Sequence, residues 1–268
     1  MLKYMTKTLL LVTFALSIPV VSSASDLHNK WHEIVSQHVV TIDNGHSTAV
    51  DYAAIKQHHG ELRAYLNSLE AVTQDGFKQW NKEQQLAFLI NAYNAWTVEL
   101  ILTEYPDLQS IKDLGGLFSS PWSKKFIPLL GKTRSLDDIE HNLIRGSDKY
   151  NDPRIHFAVN CASIGCPALL EEAYTGEKLD EQLHAQTVRF LSDKTRNFAQ
   201  DNTLNLSSIF KWYGDDFSQG FNGAMSLQQF LLQYSTALAL TDKQRIALKN
   251  DAMTINFLDY NWELNAHQ

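Results

Sequence analysis

The stretch 81–102, NKEQQLAFLINAYNAWTVELIL, constrains this chain more than any other. Its apolar residues wrap nearly all round a helical wheel, so a helix here has almost no face to offer water and must run through the middle of the molecule. Asn91 and Asn94 stand inside that apolar wall. A buried amide left unpaired costs about 1–3 kcal/mol, so each must either tie down a neighbouring loop or reach a bound substrate. Pro106 ends the element.

A helix of this kind needs a shell. Leu27, Trp31, Ile34, Val35 and His38 recur at helical spacing in 26–41, and Tyr52, Ile55, Leu62, Tyr65 and Leu66 do so in 50–68. Asp75-Gly76 breaks the pattern over 73–80, and Gly115-Gly116, Pro121-Trp122 and Pro128 make 111–130 irregular. Ser135, with Asp138 three residues on, opens a helix that Gly146 closes. Residues 154–161 alternate like a strand, and 168–174 read as a short helix after Cys166-Pro167. An amphipathic helix is expected over 179–190, a short strand or turn over 204–210, helices from Ser226 to about 238 and from Thr241, and a last strand and tail over 255–264.

With 268 residues, 44% of them hydrophobic, the chain can bury a sizeable core. The expected fold is α+β: a helix-rich single domain, 81–268, whose central buried helix packs on a small antiparallel sheet, preceded by an N-terminal helical extension, 25–80.

Lys3 and Lys7, the apolar run 9–21 and the small residues Ser22-Ser23-Ala24 read as a signal peptide, 1–24, which implies a periplasmic or secreted protein. No later stretch suits a bilayer span, so no stable membrane insertion is expected after cleavage. A net charge of −7 without clustered Lys and Arg argues against a nucleic-acid partner. Nothing in the residues calls for a cofactor. His28 and His32 share a helix face, and His58 and His59 are adjacent, but without acidic or cysteine partners they read as surface histidines rather than metal ligands.

Both cysteines lie in 151–167, NDPRIHFAVNCASIGCP, together with His156. Cys161 and Cys166 can form a disulfide if the four residues between them turn back; so short a loop makes a weak staple. Alternatively, Cys166 caps the following helix, whose N–H groups would stabilise a thiolate, or Cys161 sits at a strand end as a nucleophile. Metal binding by both cysteines and a histidine is a third option. On an ideal strand His156 and Cys161 fall on opposite faces, roughly 17 Å apart at ~3.3 Å per residue. The first choice of base is therefore His141, with Asp137 at i,i+4 or Glu140 as its partner, and Glu140 otherwise turning to Arg154. The aromatics and acids of 211–217 fit either a sugar- or peptide-binding wall or core packing with an acidic turn.

Three motifs together resemble the DUF547 family, a domain of unknown function in bacterial exported proteins and in plants: FLINAYNA at 88–95, SLDDIEH at 135–141, and RIHFAVNCAS at 154–163 with Cys166-Pro167. The likeness runs from about Lys82 onward. Its architecture is loosely similar to cysteine peptidases and transglutaminases, as an analogy only. The leading expectation is a thiol-dependent acyl-transfer enzyme acting on an amide or peptide bond, its substrate an unidentified small molecule or peptide. Cys161, His141, Glu140, Cys166 and His156 are the candidate catalytic residues, and Asn91 and Asn94 the candidate substrate contacts. The competing expectation is a non-enzymatic binding or scaffolding domain with a structural cysteine pair.

Overall fold

Residues from both the early and the late described parts of the chain, Trp31, Ile34 and Val35 on one side and Leu264 and Ala266 on the other, join the core built around the 81–102 helix. The computed structural model describes residues 26–116 and 119–267, and the proposed signal peptide lies outside the described residues. Helix α1 (Asn29–His38) runs into an antiparallel hairpin of β1 (Val39–Ile42) and β2 (Ser47–Val50), in which Val39 faces Val50. Asp51 caps α2 (Tyr52–Gln57) by accepting the Ala54 N–H at 2.9 Å, and α3 (His59–Glu70) follows. The stretch expected to be a break then forms α4 (Gln74–Gln79). Thr73 caps it through the Gly76 N–H at 3.1 Å, which offsets the poor helix propensity of the glycine.

Asn81 opens α5 (Lys82–Leu102) with a reciprocal cap, its side chain accepting the Gln84 N–H and the Gln84 side chain accepting the Asn81 N–H. From Gln85 to Leu102 every residue except Glu99 is buried, as its all-round apolar pattern requires. Glu99 faces outward to His59 and Arg63 of α3, at 2.7 and 3.3 Å. Gln85 donates to the carbonyls of Phe77 and Trp80 and accepts the Tyr150 hydroxyl, so its buried amide closes the end of α4. Trp31 of α1 stacks on Tyr65 of α3 with centroids 5.7 Å apart. Both rings belong to the same core as Phe88, Leu89 and Ile90, so the N-terminal helices pack directly on the central one.

After α5 the 111–130 stretch is mostly irregular, with short 3-10 turns at Ile111–Leu114 and Pro121–Ser123. It ends in a hairpin absent from the expectation, β3 (Ile127–Leu129) and β4 (Lys132–Arg134), turned by Leu130 and Gly131, both with positive φ. Ser135 and Asp138 do form the reciprocal cap, at 3.0 Å each way. The helix they open is a π-helix, Asp138–Ile144, continued by a 3-10 turn, Arg145–Ser147, that contains Gly146.

Residues 154–161 are not a strand. Asp152 accepts the Arg154 N–H at 3.0 Å and Pro153 supplies the first helical position, so Pro153–Phe157 is a 3-10 helix. All five of its residues are buried, and burial on every side is what made a short helix look like a strand. Nor is there a helix over 168–174; that backbone is irregular.

Helix α6 (Leu179–Ser192) precedes the small sheet of β5 (Phe198–Gln200), β6 (Thr203–Leu206) and the distant β7. Between lie α7 (Ile209–Trp212), α8 (Leu227–Gln233), which stops five residues short of the expected 238, and α9 (Asp242–Lys249). Strand β7 (Thr254–Phe257) joins β6 in parallel, whereas β5 and the two hairpins pair antiparallel. The α+β class holds, with the sheet in three small pieces rather than one. A second core of Phe157, Phe190, Phe210, Phe217 and Phe230 packs under this sheet. No helix among the described residues is long and apolar enough to cross a membrane.

His28 is buried, its Nδ1 2.8 Å from the Tyr65 hydroxyl, and burial lowers its pKa to about 4. The unfolded chain therefore binds more protons between pH ~6.5 and about 4. The stability that this residue confers is complete above pH ~6.5 and is lost as pH falls toward 4, by about 3 kcal/mol. Urea midpoints measured across that range should fall with acid. In His28→Gln, which keeps an acceptor for Tyr65, that part of the curve should flatten.

Candidate active site

A cleft of about 220 Å³ opens where the two cores meet, and it collects residues scattered over the last two-thirds of the chain. Asp137, Glu140 and His141 come from the π-helix, His156 from the 3-10 helix, and Cys161 and Cys166 from the irregular segment after it. Tyr93 lines it from α5, Trp212 and Tyr213 from the end of α7, Trp122 from the 111–130 stretch, and Tyr260 and Trp262 from the C-terminal tail. All five candidate catalytic residues thus line one cleft. In particular, His156 and Cys161 are not on opposite faces, because the strand that would have separated them is not there.

The backbone that carries the cysteines is held by amide side chains. Asn94 donates to the Ala158 carbonyl at 2.9 Å and accepts the Asn160 N–H at 2.8 Å. Asn160 in turn accepts the Ala162 N–H and donates to the Pro167 carbonyl, each at 2.8 Å, bridging both ends of the cysteine loop. Asn91 clamps Tyr174 through its N–H and carbonyl, at 3.0 and 2.8 Å. Both α5 asparagines therefore spend their amides on backbone, and neither lines the cleft. They are loop anchors rather than the substrate contacts expected of them.

Cys161 and Cys166 are joined by a disulfide, their Cα atoms 6.2 Å apart. Cys166 is buried and Cys161 part-exposed. Cys166 caps no helix; its N–H turns back to the Ser163 carbonyl at 3.0 Å. The C-terminal tail laces the loop in place, with Ile164 and Gly165 N–H groups donating to the carbonyls of Glu263 and Asn261, each at 2.8 Å. Gly165 is required there, since a Cβ would come within 2.8 Å of the Tyr260 ring and 2.9 Å of the Asn261 carbonyl.

The two histidines differ in what their nitrogens are free to do. His141 Nδ1 lies 2.8 Å from an Arg145 N–H and can only accept there, which leaves the proton on Nε2, 3.7 Å from Asp137. Its lone pair is occupied, so it is poorly suited to take a proton. His156 Nε2 lies 2.7 Å from Asp216 Oδ2, while its Nδ1 is buried without a hydrogen-bond partner. Its ring stacks on Tyr213 with centroids 4.0 Å apart. Burial lowers the His156 pKa, opposed by the hydrogen bond that Nε2–H donates to Asp216, so the ring is neutral at neutral pH with a lone pair on Nδ1.

Asp216 also receives Arg145, Nε at 2.6 Å and a terminal nitrogen at 3.0 Å. Burial alone would push its carboxyl up, but the hydrogen bonds from His156 and Arg145 hold it well below the usual range, so it stays ionised. Glu140 is buried beside the Tyr93 and Tyr213 hydroxyls, whose ionisation is suppressed first by burial and then by this carboxylate. Arg154, the partner expected for Glu140, is instead paired with Asp152 and Asp180, both at 2.7 Å. Burial raises the Asp137 pKa, with Glu140 and Asp138 adding to it against His141.

Sequence reasoning missed Asp216 and Arg145. The acid-and-aromatic run 211–217 drew notice as a wall, and Arg145 stands at i,i+4 from His141, but neither signal names His156 as the partner. Among the described residues, no group of three or more His, Cys, Asp and Glu side chains is placed to hold a metal ion.

Residues 77–191 match the family model described as "Protein of unknown function, DUF547", and over that segment the chain is similar to that family. No curated protein and no solved structure matches it. The matched segment supplies Glu140, His141, Arg145, His156 and both cysteines. Tyr213, Asp216, Tyr260 and Trp262 come from beyond it.

Asn94→Ala would leave the Ala158 carbonyl and the Asn160 N–H buried and unpaired, and should cost about 2–4 kcal/mol in urea unfolding at neutral pH. Trp212 is 46% exposed at the cleft mouth, and Trp212→Ala should cost under about 1 kcal/mol.

Proposed function

We propose that the protein is a cysteine-dependent acyl-transfer enzyme in its reduced form, with Cys161 as nucleophile, His156 as general base and Asp216 orienting the base. The observation that carries this reading is the His156 ring, which lines the same cleft as Cys161: one of its nitrogens is held by a carboxylate, and the other is buried and unpartnered. That division of roles is the one a nucleophile, base and orienting acid require. Once the bond to Cys166 is open, His156 Nδ1 takes the Cys161 proton and the thiolate adds to an acyl carbon. The imidazolium, stabilised by Asp216, returns the proton to the departing amine or alcohol. Water or a second acceptor then releases the acyl group from sulfur.

The aromatic rim of Trp122, Trp212 and Trp262 supports a substrate with a planar or apolar part, and a peptide or an amide-linked small molecule fits this reading. A bonded cysteine pair also accords with export into an oxidising compartment, the location we propose. The bond itself favours a second reading, a binding domain stapled by its cysteines, which forms no covalent intermediate.

The test is acylation of the chemically reduced protein by p-nitrophenyl acetate, followed by intact mass and peptide mapping. We expect one acetyl group on Cys161, none in Cys161→Ser, and acylation at least about tenfold slower in His156→Gln. In Asp216→Asn the acidic limb of the pH–rate profile should move to lower pH, because the imidazolium loses its anionic partner. No acetyl on Cys161 in well-folded reduced protein, or an equal rate in His156→Gln, would sink the acyl-transfer reading and leave the binding domain.

A further inference from the structure

The surroundings of the two sulfurs are unequal in a way that a simple staple does not need. Cys166 Sγ is buried and lies within hydrogen-bond reach of three donors: the Cys161 N–H at 2.9 Å, the Tyr260 hydroxyl at 3.2 Å and the Ser163 hydroxyl at 3.4 Å. Cys161 Sγ is the part-exposed one, 3.2 Å from each of the same two hydroxyls. Each hydroxyl has one proton to give, and Ser163 also lies 3.2 Å from Tyr260. The amide proton is committed to Cys166, and the two hydroxyl protons can turn toward whichever sulfur carries charge. Burial raises the Tyr260 pKa, so this phenol remains a donor at physiological pH.

The bond also joins residues that are already fixed. The loop is held at Ala162, Ile164, Gly165 and Cys166 by backbone hydrogen bonds of 2.8–3.2 Å, and at Ala162 and Pro167 by the Asn160 side chain. A five-residue separation restricts the unfolded chain little, so the stapling gain is small. The same anchoring keeps the two sulfurs side by side after the bond is cut, so that it can close again.

We infer that Cys161–Cys166 is an exchangeable disulfide, opened by a small thiol that enters the aromatic cleft and attacks Cys161. The incoming thiolate forms a new S–S bond to Cys161 Sγ. The Cys161–Cys166 bond breaks, and its electron pair leaves on Cys166 as a thiolate, which the amide and phenol donors stabilise. A second thiolate then attacks the sulfur of the small molecule, releases the Cys161 thiolate and carries away a disulfide of the small thiol. Two electrons pass from two thiols to the protein, and the dithiol takes up two protons.

This exchange stands on the sulfur geometry alone. It rests on the acyl-transfer reading only for its consequence, which is that the exchange frees the nucleophile.

The experiment treats the full-length, unreduced protein with reduced glutathione at neutral pH. The reaction is quenched with acid, free thiols are trapped with N-ethylmaleimide, and the cysteine peptides are mapped by mass spectrometry. Glutathione should appear on Cys161 with maleimide on Cys166, and Cys166→Ser, given oxidised glutathione instead because its lone thiol needs a disulfide partner, should hold a stable Cys161–glutathione adduct. Tyr260→Phe should slow the exchange about tenfold by removing a donor from the leaving sulfur. Glutathione on Cys166 instead, or no adduct on the folded protein while the urea-unfolded chain forms one, would overturn the inference; the wild-type map decides this even where a variant misfolds. A protein that exchanges but is never acylated defeats the acyl-transfer reading alone. One that is acylated after chemical reduction but refuses glutathione defeats only the exchange.

Discussion

The cysteine segment crosses the interior without forming a helix or a strand, and everything at the site depends on how its backbone polar groups are paired. Buried N–H and C=O groups must find partners, and here amide side chains take the place of a ladder. Asn91 and Asn94 reach in from α5. From the opposite side, Gln182 and Gln186 of α6 donate to the carbonyls of Ala173 and Ala168, at 2.9 and 2.7 Å. Asn160 relays the hold from Asn94 to Pro167. A helix buried on nearly every side is a stiff support, and its two asparagines serve to fix a loop in place. The apolar wrap of α5 and the placing of the cysteines are therefore one design feature.

The second organising contact is the carboxylate of Asp216, shared between His156 and Arg145. A lone Asp beside a buried histidine would favour the charged ring. Arg145 draws off part of that field, since its guanidinium bonds both Asp216 oxygens and its charge opposes protonation of His156. Burial then tips the balance to the neutral imidazole. Arg145 also occupies His141 Nδ1. One cation thus withdraws the nearer histidine from base chemistry while leaving His156 with a free lone pair.

What could be read from the sequence follows from range. The central helix and the Ser135 cap were legible because each is a local pattern of period or of i,i+3 spacing. The hairpin at Leu130-Gly131 was not, because three-residue strands leave almost no pattern. The run 154–161 misled for a physical reason: Phe157 enters the second core while His156 lines the cleft, and a fully buried 3-10 turn between two cores alternates as a strand does. All five candidate catalytic residues were named from local motifs. The Asp216 that orients His156 lies 60 positions away, and Tyr260 lies 94 from Cys166, pairings that only tertiary structure creates.

The cleft is divided between an aromatic mouth and a polar floor, and the division strengthens the chemistry of the floor. Trp122, Trp212, Tyr260 and Trp262 form one continuous cluster, with Trp262 against the other three at 4.5–5.7 Å and Lys112 seated 3.8 Å from the Trp262 ring centroid. A ligand lying on these rings displaces water, and charges on the floor then interact in a medium of lower dielectric. Tyr260 belongs to both parts. Its ring packs on Trp212 and Trp262, and its hydroxyl lies 3.2 Å from each sulfur. Occupancy of the mouth is thereby coupled, through a single side chain, to the hydrogen bond that stabilises charge on sulfur.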